Sequence, residues 1–336
     1  MLATREILRG ERILAEQALL TLPPLPADMI HVKHFLSEGV IMNGRETVNT
    51  VFNSLPEDTK AVLRGLVHRN RTVLSIVAKN CFTHEKRTEQ GILVTVVRVY
   101  NEISRINHSC QANAVVAWNE RLQQGTVHAL KNIPSGAEIL VNYTADVTGS
   151  LRTGALRRAS LEKHYDFGCT CSACRRVATR GRSGPNRDDD DRRRRAKVIY
   201  DQLFFEVNVR EEQPDEGVED IRLGQIALLD QYINLLKEIG LHELQVNAFE
   251  ARAQYHEQGA HLAKLGIAQD ADAQGNGPGE YTHTRRALED WRRKLWTETR
   301  LYGQDHPDTQ ETARIVTDCE SLLARLPSPQ TPFGFP

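Results

Sequence analysis

The sequence predicts an α+β protein, β-rich in its first half and helical in its second. Three observations carry this. Short segments rich in Val, Ile and Leu, broken by glycine and proline turns, crowd the chain up to Thr144. Apolar residues at helical spacing fill Val198–Leu326. Between the two lies Cys169-Thr-Cys171-Ser-Ala-Cys174, a density of thiols that suits a metal better than a disulfide framework.

The bulk numbers are those of a globular chain: 336 residues, 40% apolar and 26% charged. A net charge of −1 gives no global basic field, so nucleic acid is not the expected partner. No apolar run approaches the ~18 residues of a membrane span. Met1-Leu-Ala-Thr-Arg5 passes into structure without the apolar core of a secretory signal. With six cysteines, three of them crowded together, the expected setting is intracellular, in cytoplasm or nucleus.

In order along the chain, Leu2–Leu20 reads as a hairpin turning at Gly10, and Leu22-Pro-Pro-Leu-Pro26 ends it. Asp28–Asn70 is expected to be a helical insertion, with a helix starting at Pro56-Glu-Asp. Thr72–Phe82 and Ile92–Val99 have the composition of strands. Ala114–Trp118 and Thr126–Ala129 suggest a hairpin around Gly125, and Ile139–Tyr143 a strand after the turn Pro134-Ser-Gly136. Leu151–Lys163 is a basic helix leading into Tyr165-Asp-Phe-Gly168 and the cysteines. The segment Thr179–Arg195, with Asp188–Asp191 abutting Arg192–Arg195, is too polar to bury surface and reads as a disordered linker. Ile226, Leu229, Ile233 and Leu236 then share one helix face, which Gly240 ends. Ala248–Leu265, Tyr281–Tyr302 and Thr309–Leu326 continue a helical array, and Pro327–Pro336 is a tail. The resulting division is 1–150, with the insertion at about 28–70, then 151–176, a linker 177–197, helices 198–326 and a tail 327–336.

A C-x-C-x2-C segment wraps three thiolates round one ion and needs a fourth ligand from elsewhere, since closed all-cysteine zinc sites are four-coordinate. Cys110, in Ser104-Arg-Ile-Asn-His-Ser-Cys110, is the natural choice; Cys81 sits among strand-like residues, and Cys319 reads as a buried core thiol. Cys110 near His108 also raises a thiol-nucleophile reading, but the two side chains are expected to diverge. Tyr143 alone reads as a strand tyrosine and His108 alone as a core histidine. Only the constellation argues otherwise.

That constellation resembles the SET-domain protein-lysine methyltransferases, most closely the SET-and-MYND type. The resemblance runs through Leu2–Glu16, Asn80-Cys-Phe-Thr83, Ser104–Cys110, Gly136–Tyr143 and Tyr165–Cys174, and Tyr302-Gly-Gln-Asp-His-Pro307 is similar to that family's tetratricopeptide-like repeats. It implies small curved sheets around a threaded knot, a zinc-bound post-SET segment and a helical tetratricopeptide-like domain. It also implies S-adenosylmethionine bound by Asn80, Ser104, Asn107, His108, Tyr143 and Phe167. Tyr143 would be the catalytic tyrosine and Tyr165 an aromatic wall of the lysine channel, with Cys110, Cys169, Cys171 and Cys174 on zinc. The implied partners are a protein substrate carrying the target lysine and a protein docked on the helical domain.

Three departures stand beside this. The family's G-x-G loop ahead of Leu2-Ala-Thr4 is not among these residues, which implies either further residues before Met1 or an incomplete cofactor pocket. Asp28–Asn70, in the place of the MYND finger, holds no cysteine, so proline-rich partners are not expected there. Ala112 replaces the usual proline before Asn113. The leading expectation is a lysine methyltransferase; the alternative is a catalytically impaired scaffold serving as an interaction module.

Overall fold

The computed structural model describes residues 1–26, 44–67, 72–88, 90–144, 147–174, 185–204, 218–265 and 279–327. They fall into two compact units. The first comprises Met1–Ala145, Gly154–Arg180 and Arg300–Gly303; the second comprises Asp146–Thr153, Gly181–Thr299 and Gln304–Pro336.

The first unit holds three small sheets. Strand β1 (Arg12–Glu16) pairs antiparallel with β8 (Gln124–Ala129), which pairs with β7 (Ala114–Asn119). Strand β5 (Leu93–Val99) takes β4 (Cys81–Arg87) on one edge and the short β2 (Leu20–Thr21) and β3 (Leu25–Pro26) on the other. The third sheet is only β6 (Asn107–His108) and β9 (Leu140–Val141), and it is parallel. Three helices, α1 (Gly44–Ser54), α2 (Glu57–Arg64) and α3 (Val73–Asn80), bury Val48, Phe52, Leu63 and Ile76 against Val97 and Val99. A separate core of Ile7, Tyr100, Ile103, Ile106, Val127 and Ile139 underlies the other two sheets.

Several expectations are corrected here. Gly10 does turn the chain (φ 84°), yet no hairpin forms: Ile7 bridges to Ile133 while β1 pairs with β8. Leu2–Leu20 lacks the apolar alternation that would bind its own arms together, so each arm adds to a distant strand instead. Thr72–Phe82 is mostly helix, not strand. Thr72 Oγ1 accepts the Ser75 N–H at 3.2 Å as an N-cap, and Ile76, Val77 and Ala78 are buried, so packing overrides β-propensity. The β7–β8 turn takes its left-handed residue at Gln123 (φ 54°), and Gly125 lies within β8 for another reason. A Cβ on Gly125 would come within 2.7 Å of the Tyr100 ring.

Helix α4 (Val147–Ser150) belongs to the second unit, and α5 (Gly154–Tyr165) fulfils the basic helix in the first. The start of the expected linker, residues 177–184, lies outside the described residues. From Pro185 the chain is helical, α6 running Pro185–Phe204. Charges four apart there pair along the helix instead of solvating a coil. Arg193 Nε donates to Asp189 at 2.9 Å, and Arg193 is 1% exposed.

Helices α7 (Val218–Ile239), α8 (Gln245–Lys264), α9 (Glu280–Leu301) and α10 (Pro307–Leu323) complete the second unit. Leu229, Ile233 and Leu236 are buried together, and Gly240 (φ 81°) ends α7 as expected. Cys319 is only partly buried, against Trp291 and Val316. Arg252 donates to both Asp290 oxygens, at 2.9 and 2.6 Å, in a buried pair. Among the described residues no helix is long and apolar enough to cross a membrane.

Candidate functional site

The site grows from the crossing of β6 and β9. Asn107 pairs with Leu140 and His108 with Val141, and the Ser109 N–H donates to the Val141 carbonyl at 3.0 Å. Asn113 locks the crossing from the side: its Oδ1 accepts the Leu140 N–H at 2.7 Å and its Nδ2 donates to the Glu138 carbonyl at 2.8 Å. The parallel pair carries Asn107 and His108 directly alongside the segment that ends in Tyr143.

The approach to β6 is set by Glu16, which the sequence reading did not single out. Its carboxylate accepts the backbone N–H groups of Asn101, Glu102 and Ile103 at 2.7–3.1 Å, capping the 3-10 turn Ile103–Arg105. No local motif marks this role, since the contact spans strands distant in sequence. Ser104 Oγ accepts the Tyr100 N–H at 3.0 Å and donates to the Asn80 carbonyl at 2.8 Å. Asn80 Nδ2 in turn donates to the carbonyls of Val67 (2.6 Å) and Ile76 (2.7 Å). Both hydrogens of that amide therefore serve the α3–β4 junction.

An 870 Å³ cavity opens over this framework. Asn80, Ser104, Asn107, His108, Tyr143, Tyr165, Phe167, Cys169 and Cys171 all line it. Four rings converge: Tyr143 lies 4.8 Å from Tyr165 and 5.2 Å from His108, and meets Phe167 edge-on at 6.4 Å. The Tyr143 hydroxyl donates to the Ile106 carbonyl at 2.7 Å, and its backbone N–H donates to His108 Nδ1 at 3.0 Å. Asn107 Nδ2 donates to Glu138 Oε1 at 2.7 Å. Asp166, between the two C-terminal rings, takes a left-handed conformation (φ 59°) and its N–H closes α5 on the Glu162 carbonyl at 3.1 Å.

Beside the cavity, the thiol sulfurs of Cys110, Cys169, Cys171 and Cys174 all lie within 4.8 Å of one another. Cys110 Sγ is 4.0 Å from Cys169 Sγ and 3.7 Å from Cys174 Sγ. Four sulfurs about 2.3 Å from a central zinc would stand roughly 3.8 Å apart, so the set fits a tetrahedral ion. Cys81 and Cys319 lie elsewhere, in apolar packing. The crowding already polarises the thiols. The hydrogen bond from Cys110 holds Cys169 well below the ordinary thiol range, and Cys171 is drawn down to about 5, first by Cys110 as well. Cys110 is pushed up, first by its bond to Cys169.

The expected divergence of His108 and Cys110 is wrong. Residues two apart in an extended segment share a face, and His108 Nε2 lies 3.3 Å from Cys110 Sγ. The sulfur is enclosed by three other thiols, which fits a metal ligand and not a nucleophile.

The chain matches the SET domain model over residues 1–144. It is 30% identical over 174 residues to histone-lysine N-methyltransferase set5 of Schizosaccharomyces pombe, covering 52% of this chain and 46% of the relative. It is 40% identical over 72 residues to histone-lysine N-methyltransferase ASHR1 of Arabidopsis thaliana, 21% of this chain and 14% of that one. With histone-lysine N-methyltransferase SMYD1 of Homo sapiens the identity is 25% over 157 residues, 44% of this chain and 30% of that one. The matches thus span about half the length of the first relative and less of the others. Residues 1–144 thus match a SET domain, and proteins named SMYD1 and SMYD4 of Homo sapiens are among the relatives.

Proposed function

We propose that this chain is an S-adenosylmethionine-dependent protein-lysine N-methyltransferase, and that Asn107, His108, Tyr143, Tyr165 and Phe167 form its reaction chamber. The observation that carries the reading is the convergence of the Tyr143, Tyr165, Phe167 and His108 rings on one cavity beside a four-thiol cluster. Relatives named histone- or protein-lysine N-methyltransferase support it.

S-adenosylmethionine, when bound, supplies a methyl group on a sulfonium sulfur. The protein's part is alignment and desolvation. A lysine enters as an ammonium with a pKa near 10.4 and must lose a proton before it attacks. The Tyr143 and Tyr165 rings offer a dry passage that disfavours the charged form. Donation to the Ile106 carbonyl fixes the Tyr143 hydroxyl, and its oxygen keeps acceptor capacity for orienting the incoming nitrogen. Phe167 presents a face for the adenine, with Asn107 and the backbone of His108 beside it. Asn80 and Ser104 act mainly by holding the α3–β4 junction that backs the cavity. Alignment of this kind accounts for effective molarities on the order of 10⁵ M or more.

The cysteines Cys110, Cys169, Cys171 and Cys174 would hold one structural zinc, making residues 151–176 a post-SET segment. The SET domain would then span about 1–150, and the helices of 198–326 a tetratricopeptide-like domain able to receive a protein partner. The helix from Pro185 replaces the disordered linker in that scheme. The relatives' histone-methyltransferase names support a cytoplasmic or nuclear setting.

Two measurements test the proposal. Calorimetry on the zinc-loaded chain should detect S-adenosylmethionine and its demethylated product, and labelled methyl should appear on lysines of a histone mixture. Tyr143→Phe should cut transfer on the order of 100-fold while leaving cofactor binding within a few-fold. A folded, zinc-loaded chain that binds neither ligand would leave only the scaffold alternative.

A further inference from the structure

We infer that the His108 imidazole is a positioning group that couples the metal centre to Tyr143. It holds the Cys110 sulfur with one nitrogen and the Tyr143 backbone with the other. This deepens the methyltransferase reading and rests on its zinc assignment.

The geometry permits one arrangement of the ring proton. The Tyr143 amide nitrogen only donates, and it lies 3.0 Å from His108 Nδ1, so Nδ1 must present a lone pair. The proton of the neutral ring therefore sits on Nε2, assigned from this network. Nε2 lies 3.3 Å from Cys110 Sγ and donates to it. The opposite tautomer would oppose two N–H groups at Tyr143 and leave the sulfur without its donor. Both nitrogens are thereby engaged, and a bound ligand meets His108 through its ring face or its backbone.

The same side chain thus touches both halves of the site. Cys110 is one of the four crowded sulfurs, buried at 3% exposure. A metal-bound thiolate is a stronger acceptor than a thiol, and a donor in the outer shell orients the ligand and steadies its charge. At the other end, Tyr143 is gripped twice by neighbouring residues of one segment: its N–H by His108 and its hydroxyl by the Ile106 carbonyl at 2.7 Å. Loss of the metal would change the acceptor at one nitrogen and release the ring that holds the backbone of Tyr143. The coupling is a chain of directional contacts, which a merely space-filling histidine would not supply.

Two amide variants separate the two ends. In His108→Asn the side-chain oxygen takes the place of Nδ1 and retains an acceptor for the Tyr143 N–H, but the donor to sulfur is lost. In His108→Gln the amide nitrogen reaches toward the place of Nε2 and retains the donor, but the acceptor is lost. His108→Asn should weaken zinc on the order of 10-fold or more in competition with a chromophoric chelator, while slow hydrogen exchange at the Tyr143 amide persists. His108→Gln should show the reverse. Equal losses in both variants at both ends, or no change in either, overturns the inference. Nitrogen-15 histidine spectra of the wild-type chain need no substitution and must show the Nε2–H tautomer at His108. An Nδ1–H tautomer overturns the inference even if the variants do not fold. Metal analysis keeps the two levels apart: a folded wild-type chain without zinc removes the zinc assignment and the coupling with it. Zinc bound equally well by His108→Asn and the wild type removes the coupling alone.

Discussion

Lys79 and Asp166 form an ion pair that ties the last turn of α3 to the single residue separating Tyr165 from Phe167. The Lys79 side chain is 9% exposed and that of Asp166 36%, so the ammonium sits in a largely dry position. Asp166 also occupies the left-handed region, where Asp and Asn are tolerated better than other non-glycine residues. The pair therefore anchors both aromatic residues to the wall that carries Asn80.

Asp166→Asn keeps the backbone conformation and removes the charge. It should destabilise the first unit by about 1–2 kcal/mol, because a nearly buried ammonium loses its carboxylate. Cofactor affinity should fall with it, and adding Lys79→Met should recover much of the stability. Denaturant titration of the two single variants and the double variant measures the coupling; strictly additive effects would refute it.

Removing one ligand should remove the metal. Wild-type chain should carry one zinc by elemental analysis and Cys174→Ser none, since the site needs four donors and Cys174 is fully buried. A chelator should lower the melting temperature of the wild type and leave that of Cys174→Ser unchanged. Equal response of both proteins to the chelator contradicts the assignment.

Gly125→Ala places a methyl 2.7 Å from the Tyr100 ring, near the start of a strand paired there on both sides. Overpacking of that kind costs about 1–3 kcal/mol. Tyr100→Leu, which removes the ring, should make the glycine substitution nearly harmless in the double variant. Thermal melts of the four proteins decide the matter.

Acid should weaken the first unit through His84. Burial lowers its pKa to about 4, with the Arg98 guanidinium adding to the effect. The unfolded chain then binds a proton, below its usual pKa of about 6.5, that the native chain refuses. Stability is therefore complete above about pH 6.5 and is lost as pH falls toward 4. Allowing for partial exposure, the loss is on the order of 1–2 kcal/mol. His84→Phe keeps a ring against Trp118, stacked at 5.7 Å, and should flatten this part of the stability–pH curve. His256, lowered to about 3 chiefly by burial, contributes separately in the second unit and stays constant in the comparison.

Reading along the chain succeeded where chemistry is local and failed where partners are distant. The stop at Gly240, the helix start at Pro56 and strand β5 follow from residues within a turn or two of each feature. Val73–Asn80 went wrong because its Val and Ile residues suit a strand. A single capping hydroxyl and burial of one helix face decided otherwise. Pro185–Arg195 went wrong because ion pairs four residues apart were counted as solvated charge.

What the sequence determined by itself was which side chains gather at the candidate site. Three thiols at C-x-C-x2-C spacing demand a fourth, and Cys110 was the best placed to supply it, because metal coordination is short-ranged and strict in number. The aromatic residues Tyr143, Tyr165 and Phe167 were likewise legible as a group through the family resemblance. Only the tertiary structure decided how those groups are held. The carboxylate of Glu16 on three backbone amides, the clamp of Lys79 on Asp166, the glycine under Tyr100 and the grip of His108 Nδ1 on the Tyr143 N–H are all contacts between distant segments. Such contacts depend on directions and distances of a few tenths of an ångström, which residue order does not encode until the chain has closed on itself.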